Sequence, residues 1–333
     1  MKTFIAIEND ETRATFLTEK NMTLLKSFGE VHEISGELSV QNAASQVGSC
    51  DVYMTCWGSP KLEKAVLDSA PDLKLLVHLC GTVVPFVSEE MFKRGIRVIS
   101  GNAFFARSTA EGALAYILAA QRNIPFYSSE LKEKRRWKCE NAPNMSLIGK
   151  TVGLVSFGAV AKNLAEMLQP FGVKLLVYDI VPIPDKLKER FGITQVSLEE
   201  LFSSSDIISV HTPLNPATHR LIGKELFEKI KPNALFVNTS RGKVIDQAAL
   251  EKALENRRFR AVTDVYEHEP PAQDCGLYSA PGLIMMPHMG GPTLDLRSTI
   301  AETLIREAHG FIDCSEKLNN EITADAAFSM SER

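Results

Sequence analysis

Cysteine is scarce in this 333-residue chain: there are six, at positions 50, 56, 80, 139, 275 and 314, and no two form a CxxC pair. That spacing argues against a zinc site and against a disulfide framework, and predicts reduced thiols in a cytoplasmic protein. No window approaches about 18 uncharged apolar residues, so no membrane-spanning helix is expected. The opening MKTFIAIEND is charged and strand-like, without the apolar core or small-residue cleavage site of a secretory signal. Basic runs are missing apart from KEKRR at 132–136, which reads as a solvated helix face. With a formal net charge of -4, a nucleic-acid-binding surface is not expected. Internal repeats and low-complexity segments are also missing. Residues 319–333 are largely polar and are expected to fray at their end.

What is present is an ordinary globular composition, 44% hydrophobic and 23% charged, in a length that suits two domains. Short apolar, β-branched runs predict strands at 4–8, 52–57, 73–79, 97–100, 151–156, 174–179, 207–211, 234–238, 261–265 and 283–287. Helical patterns at 159–168, 224–230 and 247–255 lie between them. Strand–helix alternation predicts an α/β protein with parallel sheets covered by helices on both faces. The run LKLLV fits a strand buried on both sides. Residues 109–122 (TAEGALAYILAAQR) form a helix that is apolar nearly all round. Two readings stay open for it, a core helix and a connector that also packs against a second subunit.

The segment 147–161, LIGKTVGLVSFGAVA, runs from a strand through a small-residue turn into a helix. A dinucleotide fingerprint G-x-G-x-x-G/A would sit there, and its three positions are Ser156, Gly158 and Ala161. Gly158 keeps the bare backbone that lets a pyrophosphate approach. Ser156 departs from the pattern. The pyrophosphate would lie on the amides of Ala159 and Val160 at the helix N-terminus. The next strand ends at Asp179, 21 residues beyond Gly158. A carboxylate at that spacing accepts hydrogen bonds from ribose hydroxyls and repels the extra phosphate of NADP, so NAD is the expected cofactor.

Four polar segments follow, HTPLNPATHRLI, NTSRGKVID, TDVYEHEPP and PHMGGPT, each at or just after a predicted strand end. Ligands of open α/β sheets bind at such ends, and Thr212, Arg241, Asp264 and His288 share that placement.

The order SRG, then ExEP preceded by DV, then PHxGG resembles the D-isomer-specific 2-hydroxyacid dehydrogenases, the family that includes phosphoglycerate, formate and glycerate dehydrogenases. The likeness covers nearly the whole chain and is most specific over 145–295. It implies two doubly wound parallel-sheet domains. One is a Rossmann-type NAD-binding domain at 103–294. The other is a flavodoxin-like substrate domain, discontinuous, at 1–102 and 295–333. It also implies an NAD-dependent oxidoreductase that interconverts a D-2-hydroxy acid and a 2-oxo acid by hydride transfer, usually as a homodimer.

Carried onto this sequence, the family's arginine is Arg241, whose fork would pair with the substrate carboxylate and polarise the 2-oxo group. The acid–base histidine is His288, flanked by Pro287 and by Gly290, which is counted with the cofactor-binding positions. The glutamate is Glu269, preferred over Glu267 because it precedes Pro270. A carboxylate beside an imidazole favours the protonated, proton-donating form. Asp264 resembles the contact to the nicotinamide carboxamide. Thr212, Pro213 and Thr239 resemble cofactor-lining positions. His211 is read either as an adenine neighbour or as a strand-end filler, and Thr218 as a donor to the pyrophosphate. No metal is implied.

The substrate loop departs from the family pattern. Many relatives carry GxGxDN, whereas this chain has His78-Leu-Cys-Gly-Thr-Val-Val-Pro85. The amides of Gly81, Thr82 and Val83 remain candidates to hold a carboxylate. Trp57 is read either as a pocket wall or as ordinary core. A pocket lined by tryptophan and valine suggests an apolar substrate tail. The rival reading is a non-catalytic NAD(H)-sensing binding protein or corepressor on the same fold. Arg241, Glu269 and His288, all retained, weigh against it.

Overall fold

A computed structural model describes residues 1–137 and 142–330; Cys139 and the last three residues of the tail lie outside the described residues. The chain divides into two compact units, Met1–Phe105 with Pro292–Arg333, and Ala106–Gly291.

The first unit holds β1 (Lys2–Ile5), β2 (Glu30–Glu33), β3 (Val52–Thr55), β4 (Leu75–His78) and β5 (Arg97–Ser100), all parallel, in the order β2-β1-β3-β4-β5. This is the flavodoxin-like order. Successive side chains of a strand point to opposite faces, and two cores follow from that. Ile5, Met54, Val77 and Ile99 pack in one cluster with Ile300, Leu304 and Ile305 of the helix Leu294–Cys314. Phe4, Tyr53, Leu76 and Val98 pack in the other.

The second unit holds β6 (Thr151–Val155), β7 (Lys174–Tyr178), β8 (Ile193–Gln195), β9 (Ile207–Val210), β10 (Leu235–Asn238), β11 (Arg260–Thr263) and β12 (Leu283–Met285). All pairs are parallel, and the order is β12-β11-β10-β9-β6-β7-β8. Counted from β6, that is the doubly wound Rossmann order with a seventh strand added at one edge. The order reverses at β6, which pairs with β7 on one side and β9 on the other. Val152, Leu154, Leu175, Val177 and Val237 fill one face; Ile208, Val210, Phe236 and Ala261 fill the other.

Two strands differ from the sequence expectation. β2 (EVHE) and β8 (ITQ) were not anticipated, and each is the edge strand of its sheet. An edge strand packs on fewer neighbours and needs no apolar run. The long helix also differs. It starts at Asn102 and ends at Gln121. It buries one stripe (Ala106, Ala110, Ala113, Ile117 and Ala120) and leaves Glu111 and Ala115 exposed. Its first residues belong to one unit and the rest to the other.

Among the described residues, no helix is long and apolar enough to cross a membrane, no cluster of His, Cys, Asp or Glu has the makings of a metal site, and five cysteines are free.

Candidate active site

Each candidate group of the second unit follows the carboxyl end of a strand. Gly158 follows β6, Asp179 β7, His211 to Pro213 β9, Thr239 to Arg241 β10, Asp264 β11 and His288 β12.

The turn after β6 is held by Asp179. One of its carboxylate oxygens accepts from the Phe157 amide at 2.7 Å and from the Ser156 hydroxyl at 3.3 Å; the other accepts from the Val181 amide at 2.9 Å. Ser156 has φ +76°, a region that costs a residue with a Cβ about 1–2 kcal/mol. Its hydroxyl bond to Asp179 offsets part of that strain, and this is how serine occupies the first glycine position. Gly158 caps the helix Ala159–Leu168 with no side-chain hydrogen bond, and a Cβ added there would stand in open space. The first amides of that helix have no intrahelical acceptor. The Thr239 hydroxyl is buried and has no hydrogen-bond partner. An open, uncapped helix start, a carboxylate one strand away and an orphaned hydroxyl at a strand end fit a bound dinucleotide.

Other cofactor candidates turn inward to the protein. His211 meets the Ser209 hydroxyl at 3.0 Å through Nε2. Its ring is enclosed although part of the residue reaches the surface, and desolvation lowers its pKa to about 4, so it is neutral at pH 7. The Thr212 hydroxyl donates to the Val155 carbonyl at 3.3 Å. Thr218 requires a correction. A hydroxyl has one proton to donate, and that of Thr218 is 2.6 Å from the Pro213 carbonyl while its oxygen accepts from the Asn215 amide. It shapes its own loop and has no proton left for a pyrophosphate.

The chemistry-bearing trio is assembled by local turns. Asn238 accepts from the Ser240 amide and hydroxyl and donates to the Arg241 carbonyl at 3.2 Å. Gly242 lies so close to the Tyr266–Glu267 peptide that a Cβ would overlap it, so SRG needs its glycine. On the facing turn, one Glu269 oxygen accepts from the Tyr266 amide at 3.0 Å. The other lies 2.6 Å from His288 Nδ1. Nδ1 donating to a carboxylate fixes the tautomer and leaves Nε2 as the lone-pair nitrogen. Glu267 instead pairs with Arg220 at 2.8 Å. The Tyr266 hydroxyl donates to the Met286 carbonyl at 2.8 Å, tying this turn to the end of β12, and burial pushes it up to about 12.

The loop carrying His288 is clamped by Asp264 of the motif and by residues outside it. Asp264 is buried, and its two oxygens accept from the Met289 and Gly290 amides at 2.9 and 2.8 Å. The Tyr116 hydroxyl donates to the same carboxylate at 3.2 Å. Ser108 donates to the Gly291 carbonyl at 3.1 Å, and a Cβ on Gly112 would come within 2.8 Å of the Gly290 carbonyl. Ser108, Gly112 and Tyr116 recur every four residues, so they lie on one stripe of the helix Asn102–Gln121. A lone glycine inside an alanine-rich helix was the one sequence sign of this packing. His288 itself has φ +51°, which the clamped loop sustains.

Gly81, Thr82, Val83 and Trp57 lie in the first unit. The Val83 side chain is fully buried in the core cluster with Leu62 and Phe4, whereas Val84 is half-buried. Trp57 is half-buried and touches Phe16 and Phe105 edge-on. Cys56 and Cys80, which precede Trp57 and Gly81, are buried with their sulfurs 3.2 Å apart.

A Rossmann sheet bearing these groups at its strand ends is the cofactor domain of a nicotinamide-dependent dehydrogenase. The model for the D-isomer specific 2-hydroxyacid dehydrogenase NAD binding domain matches residues 114–290. The glyoxylate reductase of Korarchaeum cryptofilum is 32% identical over 271 residues, 80% of this chain and 81% of that protein. The D-3-phosphoglycerate dehydrogenase of Methanocaldococcus jannaschii is 31% identical over 87% of this chain, which spans 55% of that longer relative. A solved structure described as the pyruvate reductase of Chlamydomonas reinhardtii has a TM-score of 0.73 at 27% identity, covering 96% of this chain and 98% of that one. The chain belongs to the D-isomer specific 2-hydroxyacid dehydrogenases, and it is an NAD-dependent oxidoreductase.

Proposed function

We propose that this enzyme interconverts a D-2-hydroxy acid and its 2-oxo acid, with His288 as the acid–base group and Arg241 as the carboxylate-binding group. The observation that carries the reading is the 2.6 Å contact between His288 Nδ1 and Glu269 Oε2. When bound, the nicotinamide ring supplies the hydride to C2 in reduction and takes it in oxidation. His288 Nε2 then gives a proton to the carbonyl oxygen, or removes the hydroxyl proton in the reverse direction. Glu269 holds the ring and stabilises the imidazolium. Arg241 pairs its fork with the C1 carboxylate and draws electron density from the adjacent carbonyl.

The unit Ala106–Gly291 binds NAD, with Gly158, Ala159 and Val160 at the pyrophosphate and Asp179 at the ribose. The other unit is the substrate domain, where the amides of Gly81, Thr82 and Val83 are the candidates for substrate contact. The charge of Asp179 opposes a 2′-phosphate, which supports NADH over NADPH. The enzyme works as a homodimer in the cytoplasm. Exposed Ile124, Phe126 and Leu131 on the helix Ile124–Lys134 support a second copy of the chain as their cover.

NADH oxidation against a panel of 2-oxo acids that includes glyoxylate, hydroxypyruvate and pyruvate tests the reading. Reduction of at least one acid, with preference for NADH, is expected. Nucleotide binding with no turnover across the panel would favour a sensor that uses NAD(H) as a signal.

A further inference from the structure

One edge of the second sheet is β8, whose last residue is Gln195. The register sets Gln195 opposite Val177 of β7. β7 ends at Tyr178, one residue before Asp179. The Gln195 side chain therefore stands beside the loop that Asp179 opens.

That loop, DIVPIP at 179–184, has little with which to hold itself. Pro182 and Pro184 have no backbone N–H to give. Inside the loop the Val181 amide donates to the Asp179 carboxylate at 2.9 Å. Ile180 and Val181 are exposed, and only at Ile183 does the chain re-enter the core.

Gln195 bonds to the loop at every second residue. Its Nε2 donates to the Asp179 carbonyl at 3.3 Å and to the Val181 carbonyl at 3.1 Å, and its Oε1 accepts from the Ile183 amide at 2.9 Å. Both N–H groups of the side-chain amide and one of its acceptor positions are thus spent on one loop. An exposed loop otherwise keeps much of its conformational freedom. The carbonyl that Gln195 holds belongs to the residue whose carboxylate latches the Ser156–Phe157 turn. Asp179 is therefore fixed through its backbone by β8 and through its side chain by the turn after β6.

We propose that Gln195 is a positioning residue for the cofactor: by holding loop 179–183 it aims the Asp179 carboxylate at the adenosine ribose, and so sets the preference for a ribose with a free 2′-hydroxyl. This rests on the reading of Asp179 as the ribose acceptor and deepens it. Gln195 acts through Asp179, not on the nucleotide directly. The loop has no lysine or arginine. Held in place, it meets a 2′-phosphate with a carboxylate and no counter-charge.

The test is equilibrium binding of two ligands to the full chain, measured by titration calorimetry: ADP-ribose, and ADP-ribose carrying a 2′-phosphate. Neither has a nicotinamide ring, so no turnover enters the measurement. The proteins are the wild type, Gln195→Met, Gln195→Asn and Asp179→Asn. Methionine keeps the stem and removes all three bonds. Asparagine keeps the amide but sets it one methylene short of the loop. The wild type should bind ADP-ribose at least about tenfold more tightly than its 2′-phosphate form. Gln195→Met should weaken ADP-ribose by roughly fivefold or more, the worth of about one hydrogen bond. It should leave the phosphorylated ligand nearly unchanged, because that ligand gains nothing from the carboxylate. Gln195→Asn should move the ratio in the same direction, and it carries the test if the methionine variant fails to fold.

Equal weakening of both ligands in the Gln195 variants would make the residue a support of the fold and overturn the proposal. A wild-type ratio in the Gln195 variants beside a reduced ratio in Asp179→Asn would also overturn it, and would leave the ribose reading standing. If Asp179→Asn too keeps the wild-type ratio, the ribose reading has failed and the positioning role falls with it.

Discussion

The hydroxyl of Tyr116 donates to the buried carboxylate of Asp264 at 3.2 Å, and Asp264 in turn holds the two amides that follow His288. His288, the proposed acid–base residue, is therefore positioned by a residue far away in the chain. Burial, followed by the charge of Asp264, raises the Tyr116 pKa, so the hydroxyl keeps its proton and remains a donor. Tyr116→Phe should cost about 1.5–3 kcal/mol of stability, the range for a bond to a charged group. It should also lower kcat several-fold with KM for the 2-oxo acid little changed. Steady-state kinetics beside a urea melt check this, and a loss confined to KM would contradict a positioning role.

Asp179 latches the Ser156–Phe157 turn, and the proposed function also gives it the cofactor ribose. Asp179→Asn keeps an acceptor for the Phe157 amide and removes the charge. The NADPH-to-NADH ratio of kcat/KM should rise at least about tenfold, roughly 1.4 kcal/mol. An unchanged ratio would show that the carboxylate serves the turn alone.

Gly242 tolerates no side chain, because the Tyr266–Glu267 peptide occupies the place of a Cβ. Gly242→Ala should destabilise the second unit by about 1–3 kcal/mol or more. It should also separate Arg241 from the Glu269 turn, with activity lost beyond what stability explains. Thermal melts and kcat/KM on the same preparation decide it, and a variant with wild-type values for both would refute the packing argument.

His211 gives the fold a pH dependence whose sign can be worked out. Its folded pKa is about 4 against an ordinary 6.5. Between those values the unfolded chain binds the proton and the folded protein does not. The contribution is fully present above pH 6.5 and is lost as pH falls toward 4, by about 3 kcal/mol in all. His211→Gln should flatten the fall of the urea midpoint across that window. A variant with the wild-type slope would mean that the ring is solvated.

The sequence was most legible where pattern and burial coincide. The central strands are short apolar runs because both faces are covered, and the helices Ala159–Leu168 and Gln247–Glu255 have the expected bounds. The edge strands β2 and β8 were hidden by their polarity. Motif order brought Arg241, Glu269 and His288 forward as candidates, since each lies in a loop that follows a strand. The clamp of Ser108, Gly112 and Tyr116 comes from a helix remote in sequence. Thr218 was misread for a related reason: residue type and position do not say which way a hydroxyl's proton turns.

The central claim is that His288 moves the substrate proton. It is tested most directly by measuring NADH affinity and single-turnover reduction side by side in the wild type and in His288→Ala. The account predicts NADH binding within a few-fold of wild type and a reduction rate lower by about 10²–10⁴. Reduction at the wild-type rate in His288→Ala would contradict it.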